Sequence, residues 1–235
     1  MQTLYMDDSY LKEFDGVVKT AKGRFIVLDN TAFFPKSGGV ENDTGIMIRK
    51  KDNKEFKVVF VGKFEGEISH EVDAEGLAPG DRVKCTIDWD RRYVLMRYHT
   101  SAHVLSGLFN REYNFMITGN QLTTEKGRID MDMEKLDADL ISQGIKKANE
   151  LIEKDLPVEV YYKTRAEAEK DPTLFKLAMG FPHDINTIRI VDIKGFDAQA
   201  DGGCHVKSLR EIGKIIFMKA ENRGKNNRRI YYTLQ

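Results

Sequence analysis

Apolar and β-branched residues fall in short runs over the first 88 positions: "GRFIVLDNTAFF", "TGIMIRKK", "EFKVVFVGKF", "GEISHEVD" and "DRVKCTIDW". Glycine, asparagine and aspartate punctuate them, so each run is bounded by residues that favour turns. Several strands at that spacing predict a small β-barrel or sandwich. The period changes after Trp89. Val94, Tyr98, Ala102, Leu105 and Phe109 recur at steps of three and four, which is one face of a helix. A second helix is predicted from about Leu136 to Lys154 on the stripe Ile141, Ile145, Ala148 and Ile152, with Pro157 beyond its end. "PVEVYYK" then reads as a strand and "AEAEK" as a short helix stopped before Pro172. "TIRIVDI", "GCHVKSL", "GKIIFMKAEN" and "RRIYYTL" read as strands. The change of period places a domain boundary near residue 90. No long flexible linker, internal repeat or low-complexity segment interrupts the chain.

Composition narrows the class. With 235 residues, 41% hydrophobic and 31% charged, the chain suits one large globular domain or two small ones. No apolar run approaches the roughly 18 residues of a membrane span. The opening "MQTLYMDDSYLKEFDG" is acidic and mixed, unlike a signal or transit peptide, so the cytoplasm is the expected location. With only two cysteines, Cys85 and Cys204, no disulfide framework is expected. Basic and acidic residues balance at 37 each, so net charge does not announce a nucleic-acid partner. The balance is local, however. From 206 to 235, eight basic residues (Lys207, Arg210, Lys214, Lys219, Arg223, Lys225, Arg228, Arg229) face two acidic ones, Glu211 and Glu221. This is either a solvated strand pair or a phosphate-facing patch.

Two motifs carry candidate chemistry. His99-Thr-Ser-Ala-His103 lies on the first predicted helix, where residues four apart share a side and two imidazoles can reach one ion. Thr100 stands where a zinc protease of the His-Glu-x-x-His type has its glutamate, which argues against a protease. The second motif, "ADGGCHV" from Ala200 to Val206, adds His205, with Asp201 and Cys204 as further candidate ligands. Imidazole with a thiolate or carboxylate suits zinc. If His205 faces the ion from a strand, alternation turns Cys204 away. Asp201, four residues back across Gly202-Gly203, can then curl to the same ion. Asp201, Cys204 and water remain the candidates for the fourth position.

The order and character of these segments resemble the freestanding alanyl-tRNA editing proteins of the AlaX type, relatives of the editing domain of alanyl-tRNA synthetase. The resemblance rests on "TAFFPKSGGVENDTG" (31–45), "RYHTSAHVLSGLF" (97–109) and "AQADGGCHVKSLREIGKI" (198–215). "IKKANELIEKDLPVEV" and "NRRIYY" add to it, and together these cover nearly the whole chain. The N-terminal segment makes it look like the medium-length form. The resemblance implies an α+β fold: a small N-terminal β-barrel over 1–90, then an antiparallel-sheet-plus-helices editing domain over 91–235. It implies an aminoacyl-tRNA deacylase acting in trans on tRNA for alanine mischarged with serine, or also with glycine. It further implies Zn2+, held by His99, His103 and His205.

Asp201 stands where the family often has cysteine, and Cys204 where it has threonine. Ser37 and Val40 replace a common glycine and glutamine. Thr31 and Gln121 fall at positions that imply catalytic or substrate-binding roles, and Gly38 and Gly39 at a loop that implies close approach to substrate. The plainer alternatives are a strand-end threonine bonding its own backbone and an ordinary turn. Phe33, Phe34 and Tyr98 read as core residues rather than base-stacking ones, and His70 and His183 as surface or satisfied core histidines. Two other functions compete: editing of a threonyl-type tRNA, and a non-catalytic tRNA-binding module with structural zinc. The barrel loop argues against the first. Four protein ligands with no open position would favour the second.

Overall fold

The computed structural model describes residues 1–175 and 186–235. His183 lies outside them. The chain divides into two compact units, Met1–Leu95 and Met96–Gln235.

The first unit begins with β1 (Gln2–Thr3) and α1 (Leu4–Asp7), followed by β2 (Glu13–Lys22), β3 (Phe25–Leu28) and β4 (Asn30–Thr31). After the 32–44 loop come β5 (Gly45–Arg49), β6 (Lys54–Phe64), β7 (Glu67–Val72) and β8 (Arg82–Ile87). Six strands close into an antiparallel barrel in the order β2-β3-β7-β6-β5-β8, and β1 pairs with β4 in parallel. Alternate residues fill the interior: Phe56 and Val58 on β6, Ile68, His70 and Val72 on β7, Val83, Cys85 and Ile87 on β8. Phe33 and Phe34 are buried too, in keeping with a core role. The longest stretch without a predicted strand, "EFDGVVKTAK", is β2. Its Gly16 and its half-buried Val17 and Ala21 blur the alternation that marks the other strands.

One buried ion pair organises the 32–44 loop. Arg92 and Asp43 are each 1% exposed at the side chain. The Arg92 guanidinium donates to both Asp43 oxygens, to Ser9 O at 3.0 Å and to Ala32 O at 2.5 Å. Asp43 Oδ2 accepts the Phe34 N–H at 2.6 Å. A buried charge is tolerated only when so completely paired.

Helix α2 (Trp89–Tyr113) crosses the division between the units. The second unit continues with β9 (Ile117–Leu122), β10 (Gly127–Met131), α3 (Ala138–Glu153), β11 (Val158–Thr164) and α4 (Arg165–Ala168). Then follow β12 (Thr187–Ile193), β13 (Asp197–Ala200), β14 (Ile215–Asn222) and β15 (Arg228–Leu234). Two antiparallel sheets result, β14-β15-β10-β9 and β11-β12-β13. The Ile141, Ile145, Ala148 and Ile152 stripe of α3 is buried, and Asp137 caps its first turn through Leu140 N–H. Gly144 lets α3 meet α2 closely, because a Cβ there would lie 2.5 Å from Phe109 Cζ.

Helix α2 differs from the one-faced helix its stripe suggests. Every residue from 98 to 109 is buried, so it is a central rod rather than a surface helix. Its polar side chains therefore need internal partners. Ser101 donates to Tyr98 O at 2.7 Å and Ser106 to His103 O at 3.1 Å.

The expected strand over "GCHVKSL" does not form. Residues 201–207 cross as an irregular segment after β13. Their backbone bonds go elsewhere: Asp201 N to Arg189 O at 3.0 Å, Val206 N to Thr100 Oγ1 at 3.2 Å, and Lys207 O from Val158 N at 2.9 Å. Two of the eight basic residues from 206 to 235 have internal partners. Arg229 holds Asp130 through two bonds of 2.8 Å, and buried Arg228 donates to Gly224 O, Asn227 O and Asn222 Oδ1. Arg228 braces the β14–β15 hairpin, and Arg229 ties β15 to β10. Among the described residues, no helix is long and apolar enough to cross a membrane.

Candidate metal centre

His99 and His103 project from the same side of α2, as four-residue spacing requires. Tyr98 pins the helix to the β9–β10 turn, its hydroxyl donating to Glu125 O at 2.9 Å, and Arg97 pins it to the segment before β14, donating to Ile212 O at 2.8 and 3.1 Å. Gln199 on β13 ties the second sheet to the same helix, donating to His103 O at 3.2 Å and Ser106 Oγ at 2.9 Å. The 201–207 segment thus starts beside the two helical histidines.

Its local geometry delivers Asp201. The carboxylate turns back and accepts the Gly203 N–H at 2.6 Å, an Asx-type turn. Gly203 also makes room for a ligand. A Cβ there would lie 2.6 Å from His99 Nδ1, so no larger residue fits against that ring. The donor atoms of His99, His103, Asp201 and His205 all lie within 4.8 Å of one another. The three Nε2 atoms face the Asp201 carboxylate, at 3.4 Å from His99, 3.8 Å from His103 and 3.0 Å from His205. Cys204 is buried and lies outside the group. The Asx turn, not strand alternation, brings Asp201 in.

The electrostatics suit a cation. Burial, reinforced by the neighbouring histidines, pushes the His205 imidazole well below its usual range, and burial also lowers His103. Burial opposes the Asp201 carboxylate, yet His99 and the hydrogen bonds from the surrounding rings outweigh it and hold the carboxyl well below the usual range. Neutral His103 and His205 beside an ionised Asp201 are the protonation states a metal requires. His99 Nδ1 is buried without a hydrogen-bond partner. Three imidazole nitrogens and one carboxylate oxygen fit zinc by donor type and number.

The other candidate residues are not part of this cluster. Thr31 is fully buried at the end of β4. His70 Nδ1 lies 2.9 Å from Ile26 O, a pure acceptor, so Nδ1 carries the hydrogen. The Thr31 hydroxyl therefore donates to His70 Nε2 at 2.9 Å, while accepting the Phe33 N–H at 3.1 Å. Burial lowers His70 to about 4, which makes it a satisfied, neutral core histidine. Gly38 and Gly39 have φ of +58° and +81° and form the two central residues of a tight turn. Ser37 and Val40 close that turn through paired backbone bonds of 3.2 and 2.9 Å. Gln121 is exposed on β9, in register with Arg128. No motif in the sequence points to Gln199, which sits in an otherwise plain strand. Thr100 stands out there only for not being glutamate.

Comparison with known proteins agrees with this architecture. Residues 5–91 match the family of tRNA synthetases class II (A), and residues 188–231 match the threonyl and alanyl tRNA synthetase second additional domain. An alanyl-tRNA editing protein AlaX-M of Methanosarcina barkeri is 46% identical over 239 residues, covering 99% of this chain and 98% of that protein. The AlaX-M of Saccharolobus solfataricus is 43% identical, covering 100% and 99%. An alanine–tRNA ligase of Pyrococcus abyssi is 38% identical over 94% of this chain but only 24% of the ligase. Identity at that level along the whole length, with residues 5–91 and 188–231 matched to tRNA synthetase families, means that the chain belongs to the AlaX-M family of alanyl-tRNA editing proteins.

Proposed function

We propose that the protein is a trans-acting deacylase that clears mischarged tRNA for alanine in the cytoplasm, chiefly its seryl ester and also its glycyl ester. In this reading zinc is held by His99, His103, Asp201 and His205. The observation that carries it is the convergence of three buried imidazoles and a half-buried carboxylate in a member of an editing family. When bound, zinc supplies Lewis-acid chemistry for a carbonyl or for water. Asp201 is the most accessible of the four, 22% exposed at the side chain against 2–9% for the histidines. The water oxygen adds to the ester carbonyl carbon, the bond to the ribose oxygen breaks, and that oxygen leaves protonated.

Gln121 and the Gly38-Gly39 turn, both exposed, are the proposed substrate contacts. Thr31 is the proposed serine selector: with one bond donated and one accepted, its oxygen keeps a lone pair for a substrate hydroxyl. The residues covering it must part for that contact. Deacylation of seryl-, glycyl- and alanyl-tRNA(Ala), before and after chelation, tests the reading. Hydrolysis of the seryl ester that chelation abolishes and zinc restores is the expected result.

A second reading has one observation in its favour. Four protein donors can fill a tetrahedral site, as in structural zinc centres. Tight tRNA binding with no hydrolysis of any of the three esters would favour that module over an enzyme.

A further inference from the structure

Thr100 is fully buried, and its Oγ1 meets three partners. It lies 3.0 Å from Met96 O, 3.1 Å from His205 Nδ1 and 3.2 Å from Val206 N. Met96 O can only accept and Val206 N–H can only donate. A hydroxyl has one proton and two lone pairs. If the proton goes to Met96 O and one lone pair takes Val206 N–H, the remaining lone pair faces Nδ1. His205 must then carry its hydrogen on Nδ1. The neutral ring has its own lone pair on Nε2, the atom turned toward Asp201 and the other two histidines.

We propose that Thr100 is a positioning residue that holds the ring of His205 through Nδ1, so that Nε2 is the atom offered to a divalent cation and Nδ1 carries the hydrogen when the cation is bound. One oxygen on α2 fixes both the ring of His205 and the backbone of the next residue. This couples the helix bearing two donors to the segment bearing the other two. The same hydroxyl also serves the cation-free state. There, Nε2–H donates to Asp201, and Thr100 turns its proton from Met96 O to Nδ1. A valine side chain of the same shape serves neither state. Residues behind metal-binding histidines commonly act in this way. The inference rests on the reading that the cluster holds a metal.

Zinc affinity of wild type, Thr100→Val and Thr100→Ser, measured by competition with a chromophoric chelator, tests it. Thr100→Val is expected to weaken zinc roughly 10–100-fold, the usual cost of losing such a partner. Thr100→Ser is expected to keep the wild-type affinity. A second measurement needs no variant: long-range 1H–15N correlation on the zinc-loaded wild type, expected to show His205 protonated at Nδ1. Protonation at Nε2, or a Thr100→Val protein that binds zinc as tightly as wild type, overturns the role of Thr100 alone. A wild type that binds no zinc overturns the metal reading, and this inference with it.

Discussion

Each unit buries one dense polar cluster, and the two are built on opposite plans. In the barrel unit, the Arg92 donors meet acceptors at Asp43, Ser9 and Ala32, and Asp43 in turn accepts Phe34 N–H. Donors and acceptors match, and the product is a fixed loop. In the second unit, three imidazole Nε2 atoms crowd one carboxylate, and a ring nitrogen of His99 has no partner. Ring nitrogens from three residues there converge on a single carboxylate. Buried polarity alone is therefore no mark of function; the direction in which the groups point is.

The contrast can be tested in order of expected effect. Arg92→Ala strands Asp43 and should destabilise the barrel by about 3–5 kcal/mol, whereas Arg92→Met with Asp43→Leu should recover much of that. Denaturant unfolding followed by Trp89, the only tryptophan and part of the barrel unit, reports both. Next comes His70. Its folded value of about 4 lies below the unfolded 6.5, so the unfolded chain binds the extra proton between those values. The contribution is complete above pH 6.5 and is lost as pH falls toward 4, about 3 kcal/mol in all. Unfolding of wild type and His70→Gln at pH 7 and pH 4.5 should show a steeper loss for wild type.

In the second unit, Asp201→Ala should lower zinc affinity by at least the roughly 10-fold cost of losing an outer partner, while Cys204→Ala should leave it unchanged. Metal titration of the two purified variants decides the order; the reverse order would remove Asp201 from the site. The narrowest change in function falls on Thr31. Thr31→Val leaves Phe33 N–H and His70 Nε2 unsatisfied and should cost about 1–3 kcal/mol. On the proposed function it should also narrow the preference for seryl- over alanyl-tRNA. Unaltered discrimination in a paired deacylation assay would confine Thr31 to the barrel interior.

What can be read from the sequence follows from periodicity and local spacing. The barrel strands with clear alternation, the α3 stripe and the His99–His103 pair all express short-range geometry. Strand β2 is not legible because Gly16 and its half-buried neighbours break the alternation. The irregular 201–207 segment reads wrongly as a strand because "CHV" looks β-prone. Its path is dictated by Arg189, Thr100 and Val158, partners between 12 and 106 residues away in the chain. The Arg92–Asp43 and Arg229–Asp130 pairs are hidden for the same reason: charge in a sequence does not announce its burial or its distant partner.

The four candidate ligands divide unevenly along the chain. His99 and His103 lie in one helix, but Asp201 and His205 follow some hundred residues later, after strands β9 to β13. Closing so long a loop comes late in folding, since its entropy must be met before the contacts that reward it exist. During synthesis, a chain that has not yet reached residue 201 offers a metal only two imidazoles. On the metal reading, high affinity is reserved for a molecule whose second unit is already assembled, and the cation joins as the closing step of folding rather than as its nucleus.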